Sequence, residues 1–172
     1  MFAERGLSAP TSAISHAAGV AEGTLFTYFA TKDEMVNALY REIKLELADA
    51  MMSDFPRRAS VRERFQHVWD RYVIWGVNNH AQQRALQQIT VWSGLTEESK
   101  RAGIAPFLEI EKMAEAAVAQ HLFLDRPLEF IRAAMAALAD TTMEFMRRDP
   151  DQAEMYRRNG FEMLWAGVTR KK

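Results

Sequence analysis

The sequence of 172 residues contains no cysteine. Disulfide bonds and thiolate metal sites are therefore excluded, which fits a reducing compartment, and we expect a cytoplasmic protein. Apolar runs of the roughly 18 residues that a membrane span needs are also absent, so no membrane partner is expected. The first ten residues, MFAERGLSAP, do not have the pattern of a secretory signal.

The chain has little of the positive charge that is typical of proteins that neutralise many phosphates. It carries 22 Lys and Arg against 23 Asp and Glu, a net charge of −1. The first 50 residues are more acidic, because four basic residues stand against seven acidic ones, a net charge of −3. If this segment binds DNA, it must use a few well-placed donors and helix N-termini.

Recognisable enzyme motifs are lacking as well. We find no nucleophile–base pair, no glycine-rich loop for phosphate and no metal-ligand spacing. His67, His80 and His121 are isolated histidines, and none has a carboxylate partner at metal spacing on one helix. We therefore expect no enzymatic activity, no metal and no cofactor.

The sequence does contain long stretches with helical periodicity. Apolar residues make up 48% of the chain, enough for a sizeable core, and they recur at three- and four-residue spacing. Thr31 with Glu34, and Ser60 with Glu63, are spaced as capping boxes that begin helices. No strand pattern is present, so an all-α fold is expected. The predicted helices after residue 30 include 31–53, 81–92 and 96–122, with a late start or kink near Pro106 in the last of these.

Residues 11–33, TSAISHAAGVAEGTLFTYFATKD, predict two short helices, a tight turn and the start of a third helix. Either Thr11 or Ser12 can cap the first helix by accepting from free backbone N–H groups. Gly19 should end it, because glycine adopts a left-handed backbone at little cost.

The second of these helices, predicted over residues 22–29, has two different faces. Leu25 and Phe29 lie four apart and should face inward. Small and hydroxyl-bearing side chains should face outward, where they suit close approach to a polar partner: Gly23, Thr24, Thr27 and Tyr28. Two helices joined by a glycine turn, the second with such a face, are the layout of a helix-turn-helix.

The stretch resembles the DNA-binding head of the TetR family of bacterial transcriptional regulators. The matching residues are Phe2-Ala3-Glu4-Arg5-Gly6, Thr11, Ile14, Ala18-Gly19-Val20, Gly23-Thr24-Leu25, Tyr28-Phe29 and Lys32-Asp33. The resemblance implies a head over residues 1–48, with its first helix truncated, and a helical regulatory and dimerisation domain over residues 49–172. Two positions depart from the family pattern: Phe26, where tyrosine is more frequent, and Ala21, where a serine or threonine cap is common.

This resemblance implies a ligand-responsive transcriptional regulator, expected to be a repressor. It would bind palindromic double-stranded operator DNA as a homodimer and be released by a small-molecule inducer. The residues expected to contact DNA are Thr11, Ser12, Gly23, Thr24, Thr27, Tyr28 and Lys32. The alternative is a helical small-molecule-binding or interaction protein that no longer binds DNA, which the acidic head favours.

Further sites are expected in the body. Aromatic and methionine side chains suggest an adaptable apolar ligand pocket, with Trp69, Trp92, Phe107 and Met113 as lining candidates, although each could simply be core. Gly160 and Gly167, seven apart in the last helix, would allow a partner helix to approach closely. The family pairs its last two helices with those of a second copy, and the residues expected at that interface are Leu128, Ile131, Met135, Leu138, Phe161, Leu164, Trp165 and Val168.

Overall fold

The structure, a computed structural model, describes Phe2, residues 6–124 and residues 126–169. This part of the chain is all-α, as the periodicity predicted. None of its helices combines the length and the apolar character that crossing a membrane requires. It forms nine α-helices: α1 (Thr11–Ala17), α2 (Glu22–Tyr28), α3 (Lys32–Met52), α4 (Val61–Asn78), α5 (His80–Thr90), α6 (Glu97–Ile104), α7 (Leu108–Ala119), α8 (Leu128–Arg148) and α9 (Ala153–Val168).

The predicted helix over residues 96–122 is in fact two helices. It breaks at a short 3₁₀ segment, Ala105–Phe107, which contains Pro106. Proline lacks the N–H that an α-helix needs and clashes with the preceding turn, so the α-helix is interrupted here. A second 3₁₀ segment, Pro150–Gln152, precedes α9.

The predicted capping box at Ser60 forms in full, and the one at Thr31 forms in part. The Thr31 hydroxyl oxygen accepts from the backbone N–H of Glu34 at 3.1 Å, and the Glu34 carboxylate accepts from the N–H of Ala30 at 2.8 Å. At α4 the exchange is fully reciprocal. The Glu63 carboxylate accepts from the Ser60 N–H at 2.8 Å, and the Ser60 hydroxyl accepts from the Glu63 N–H at 3.3 Å. These local bonds fix where α3 and α4 begin.

Packing divides the chain into two compact units. The first contains Met1–Glu46 and Asn79–Pro106, and the second contains Leu47–Asn78 and Phe107–Lys172. The first unit therefore includes α5 and α6 as well as the predicted head. The functional division into residues 1–48 and 49–172 remains a prediction.

A buried amide organises the first unit. Asn37 of α3 is 5% exposed, and its side-chain NH₂ donates to the carbonyl oxygens of Asp33, at 2.9 Å, and Gly94, at 3.0 Å. Its side-chain oxygen accepts from the backbone N–H of Thr96 at 3.0 Å. One turn further along α3, the Arg41 guanidinium donates to the hydroxyl of Ser99 at 2.7 Å. The first half of α3 is thereby fastened to the loop before α6 and to α6 itself.

The second unit is built around α4, α8 and α9. One buried cluster consists of Trp69, Val73, Ala139, Met143, Met146 and Phe161, and a second consists of Ala117, Phe123, Ile131 and Val168. The indole N–H of Trp69 donates to the carbonyl oxygen of Arg157 at 2.9 Å, which satisfies its one polar atom inside the core. An isolated antiparallel bridge between Phe123 and Thr169 joins the loop before α8 to the end of α9.

Candidate nucleic-acid interface

The turn between α1 and α2 has the geometry that its glycine predicted. Gly19 has a φ of +69°, in the left-handed region that glycine adopts at little cost. The N–H of Val20 donates to the carbonyl oxygen of Ser15 at 3.0 Å, the long bond that closes a Schellman motif. Helix α2 begins at Glu22, so the two helices are joined by a tight turn, as in a helix-turn-helix.

Helix α2 turns its side chains as predicted. Leu25 and Phe29 are half-buried, whereas Tyr28 is 76% exposed. The other outward residues are also exposed: Gly23, Thr24 and Thr27. A Cβ added at Gly23 would meet no heavy atom within 4 Å, so this side of α2 is open. The backbone here can therefore come close to a partner surface.

The hydroxyl of Thr27 donates a hydrogen bond within α2. Its Oγ1 donates to the carbonyl oxygen of Gly23, one turn earlier, at 3.1 Å. Such a bond leaves the methyl group and the oxygen lone pairs of an exposed threonine for a partner. In this arrangement Thr27 can accept a hydrogen bond or make an apolar contact.

The start of α1 differs from the prediction. Neither Thr11 nor Ser12 caps the helix, because α1 already begins at Thr11 and Pro10 occupies the cap position without a side-chain bond. The Thr11 hydroxyl instead donates to the carboxylate of Glu22, which links the first turns of α1 and α2. Ser12 is exposed, and its carbonyl oxygen accepts from the hydroxyl of Ser15 at 3.0 Å.

Glu22 is the first residue of α2. Its role as the partner of Thr11 depends on how two helices are placed. An acidic residue eleven positions after a hydroxyl gives no sequence signal for that contact.

Lys32 is the first residue of α3 and is half-buried. The acidic residues Asp33 and Glu34 follow it in the first turn of the same helix. Arg41, a second cation of this segment, is directed toward Ser99 by its hydrogen bond. The supply of cations for phosphate is therefore small, in line with the negative charge counted from the sequence.

The four predicted pocket residues do not share one compact unit. Trp69, Phe107 and Met113 belong to the second unit and are buried, whereas Trp92 belongs to the first and is half-buried. Trp92 folds over Gly94, where an added Cβ would come within 2.2 Å of its ring. Among the residues that the structure describes, no group of three or more His, Cys, Asp or Glu side chains is placed to hold a metal ion.

The predicted dimer residues lie largely within the single chain. Ile131, Phe161 and Val168 are 8%, 1% and 9% exposed, so they have little surface left for a partner. The remaining five are half-buried: Leu128, Met135, Leu138, Leu164 and Trp165.

The two glycines of α9 have different surroundings. Gly160 lies against Trp69 and Thr142 of its own chain, whereas an added Cβ at Gly167 would meet open space. The apolar surface that α8 and α9 do expose includes Phe130, which is 57% exposed, and Met163, which is 65% exposed.

Comparison with known proteins gives a consistent result. Residues 1–39 match the family model described as "Bacterial regulatory proteins, tetR family". Among solved structures, a TetR family transcription regulator from Marinobacter aquaeolei VT8 is 18% identical with a TM-score of 0.88, covering 99% of this chain and 90% of that one.

Two further structures have the same fold. The fatty acid degradation regulator FadR from Bacillus halodurans is 20% identical with a TM-score of 0.71, covering 96% of this chain and 92% of that chain. The ketosteroid transcriptional regulator KstR2 of Mycobacterium tuberculosis is 20% identical with a TM-score of 0.70, covering 99% and 90%. At these identities the likeness concerns the fold.

Proposed function

We propose that this chain, which belongs to the TetR family of bacterial regulatory proteins by the match of its first 39 residues, is a cytoplasmic, ligand-responsive repressor of transcription. In this proposal it binds palindromic operator DNA as a homodimer and leaves the DNA when a small molecule binds. The observation that carries the proposal is the orientation of α2. Its open side carries Gly23, Thr24, Thr27 and Tyr28, while Leu25 and Phe29 attach it to the unit.

The proposed contacts divide into two kinds. Tyr28 donates its phenol O–H to a phosphate oxygen, and Lys32 contacts the DNA backbone from the start of α3. Both contacts position the protein on the DNA without distinguishing one base sequence from another. Thr24 and Thr27 lie at base edges, and the missing side chain of Gly23 lets the backbone come close. At the start of α1, Thr11 and Ser12 lie beside the phosphates, where release of the Thr11 hydroxyl from Glu22 would free a donor.

In this proposal a dimer places two copies of α2 on the two half-sites of the operator. A two-fold dimer reads half-sites about 34–36 Å apart, one turn of the double helix. We assign the interface to the outward faces of α8 and α9, where Phe130, Met163 and Gly167 are exposed in the single chain. Half-buried residues of the original set, such as Leu164, can contribute their remaining surface.

The inducer in this proposal is an apolar small molecule. Support comes from the buried Phe107 and Met113 of the second unit, and from the names of two structural relatives, a fatty acid degradation regulator and a ketosteroid regulator. A ligand that binds better to a dimer whose heads do not fit the half-site spacing lowers DNA affinity by that difference in binding free energy. In this proposal Trp69 supports the pocket as part of the core, because its indole is hydrogen-bonded and fully buried.

A salt series tests the proposal. Duplexes from upstream of the chain's own gene, and scrambled duplexes, are titrated by fluorescence anisotropy at several salt concentrations. We expect tighter binding to the native duplex, and an affinity that falls steeply with salt. Lys32→Ala should weaken binding to both duplexes. It should also reduce the slope of log affinity against log salt by about 1, the value for one lost phosphate contact. Lys112→Ala, an exposed cation in α7, is the matched control and should change neither.

One observation favours the alternative function, a helical small-molecule-binding or interaction protein without DNA affinity. The first 50 residues carry a net charge of −3, and Arg41 is engaged by Ser99. Under this alternative no duplex selected from a random pool would bind more tightly than its scrambled counterpart. A Lys32→Ala variant with unchanged affinity would reject the phosphate contact assigned above.

A further inference from the structure

The recognition helix lacks the side chains that most often read bases. Its sequence, EGTLFTY, contains no Arg, Lys, Asn, Gln or His. The commonest specific contacts, Arg or Lys to guanine and Asn or Gln to adenine, are therefore unavailable from α2. If α2 reads sequence in the major groove, it must do so with other groups.

Two aromatic rings of α2 are exposed, and that of Phe26 is the one without a polar group, because the more exposed Tyr28 bears a hydroxyl. The Phe26 side chain is 44% exposed, although Leu25 before it and Phe29 three residues later are half-buried. It lies one turn after Glu22, on the same side of the helix, because residues four apart are neighbours. The Glu22 carboxylate is held by the Thr11 hydroxyl, so this side of α2 pairs one tethered acid with one free ring.

Thr27, the next residue, lies on the adjoining open side of α2, above Gly23. The Thr27 hydroxyl proton is bonded to the carbonyl oxygen of Gly23 at 3.1 Å, which leaves its methyl group available. An exposed ring on one side of α2 and a methyl group on the next suit an apolar target. Thymine is the one base that carries such a target in the major groove, its C5-methyl group.

We propose that Phe26 is a specificity-determining residue that contacts a thymine C5-methyl group in each operator half-site. This inference rests on the proposed function and names the base chemistry that its site selects. Burying one methyl group against the ring favours binding about fourfold. Two symmetric half-sites raise the effect to about 15-fold.

The test removes the methyl group without changing any base pair. A duplex is first selected from a random pool by the full-length protein, and each symmetric pair of thymines is then replaced by deoxyuridine. Dissociation constants are measured by fluorescence anisotropy for the wild type, Phe26→Ala and Phe26→Leu. Val91→Ala serves as control, because Val91 is 85% exposed and lies outside α2.

We expect one thymine pair whose replacement weakens wild-type binding about 15-fold and Phe26→Ala binding less than about twofold. Phe26→Leu should keep part of this dependence, and Val91→Ala should keep all of it. The wild-type series needs no variant, so a folding defect in Phe26→Ala would not hide the result.

Two results would overturn the inference alone: specific binding that no deoxyuridine weakens, or a deoxyuridine penalty that persists in full in a folded Phe26→Ala. Failure of the wild type to select any duplex would instead overturn the regulator proposal, and this inference with it. The two failures are therefore distinguishable.

Discussion

Gly160 and Gly167 are both glycines of α9, yet an added methyl group should have opposite effects on stability at the two positions. At Gly160 the new Cβ would lie 2.5 Å from Thr142 Oγ1 and 2.6 Å from Trp69 Cζ2. Neither neighbour can move away freely. The Thr142 hydroxyl is bonded to the carbonyl oxygen of Leu138 at 2.8 Å, and the Trp69 indole is bonded to Arg157. At Gly167 no heavy atom lies within 4 Å.

These surroundings set the expected magnitudes. Replacing glycine by alanine inside a helix favours folding by up to about 1 kcal/mol, whereas overpacking a core costs about 1–3 kcal/mol. Gly160→Ala should therefore lower the free energy of unfolding by about 1–2 kcal/mol, because its neighbours are held in place. Gly167→Ala should raise it by about 0.5 kcal/mol, since Gly167 lies in the last turn of α9.

Urea unfolding followed by circular dichroism measures both effects. The measurement is made at two protein concentrations, because the proposed dimerisation would make stability depend on concentration. In a thermal melt, Gly160→Ala should lower Tm by about 2–8 °C. A Gly160→Ala protein as stable as Gly167→Ala would refute the packing described for α4, α8 and α9. A loss of concentration dependence in Gly167→Ala alone would indicate that Gly167 lies at the interface between copies.

Three other variants test local bonds. Glu63→Gln should make stability less sensitive to acid. Hydrogen bonds from the Ser60 hydroxyl and N–H hold the pKa of Glu63 below its ordinary 4.5, so the carboxylate stabilises the fold above that pH and this stabilisation is lost as pH falls through the lowered pKa. Urea unfolding between pH 3 and 7 measures the difference. Asn37→Ala should cost about 1–3 kcal/mol in urea unfolding, because Thr96 loses its acceptor, and a cost near zero would contradict the buried network. Thr31→Ala should cost about 1 kcal/mol, and an unchanged melt would reject its role as helix cap.

Much of the fold could be predicted because its signals are local. The helix starts at Thr31 and Ser60 follow from side chains that bond backbone groups three residues away, so spacing alone revealed them. The glycine turn at Gly19 and the two faces of α2 are likewise set within a few residues. Pro106 signalled an interruption, but a proline alone does not determine whether a helix bends or is divided into two.

Contacts between distant segments could not be predicted in the same way. The sequence suggested an apolar stripe along α3 but gave no sign that Asn37 reaches Gly94, 57 residues later. That bond helps to explain why α5 and α6 belong to the first unit. The glycines of α9 show the same limit, because their spacing does not reveal that Gly160 faces its own chain.

Within the candidate site, residue type and helix face identified the outward residues of α2, but not the hydrogen bonds near them. The hydrogen bond from Thr27 to Gly23 follows a common helical pattern and could have been predicted. The hydrogen bond from Thr11 to Glu22 joins two helices, so it depends on their relative placement. The interface on α8 and α9 stays a prediction, because an apolar stripe does not reveal whether its own chain or a second copy covers it.

An anisotropy titration with the upstream duplex and its scrambled counterpart shows whether α2 reads operator DNA. We expect tighter, strongly salt-dependent binding to the upstream duplex. Thr27→Val should change the preferred sequence, and Tyr28→Phe should weaken binding to both duplexes alike. Equal affinity for every duplex, including those selected from a random pool, and no effect of either substitution, would contradict this role of α2.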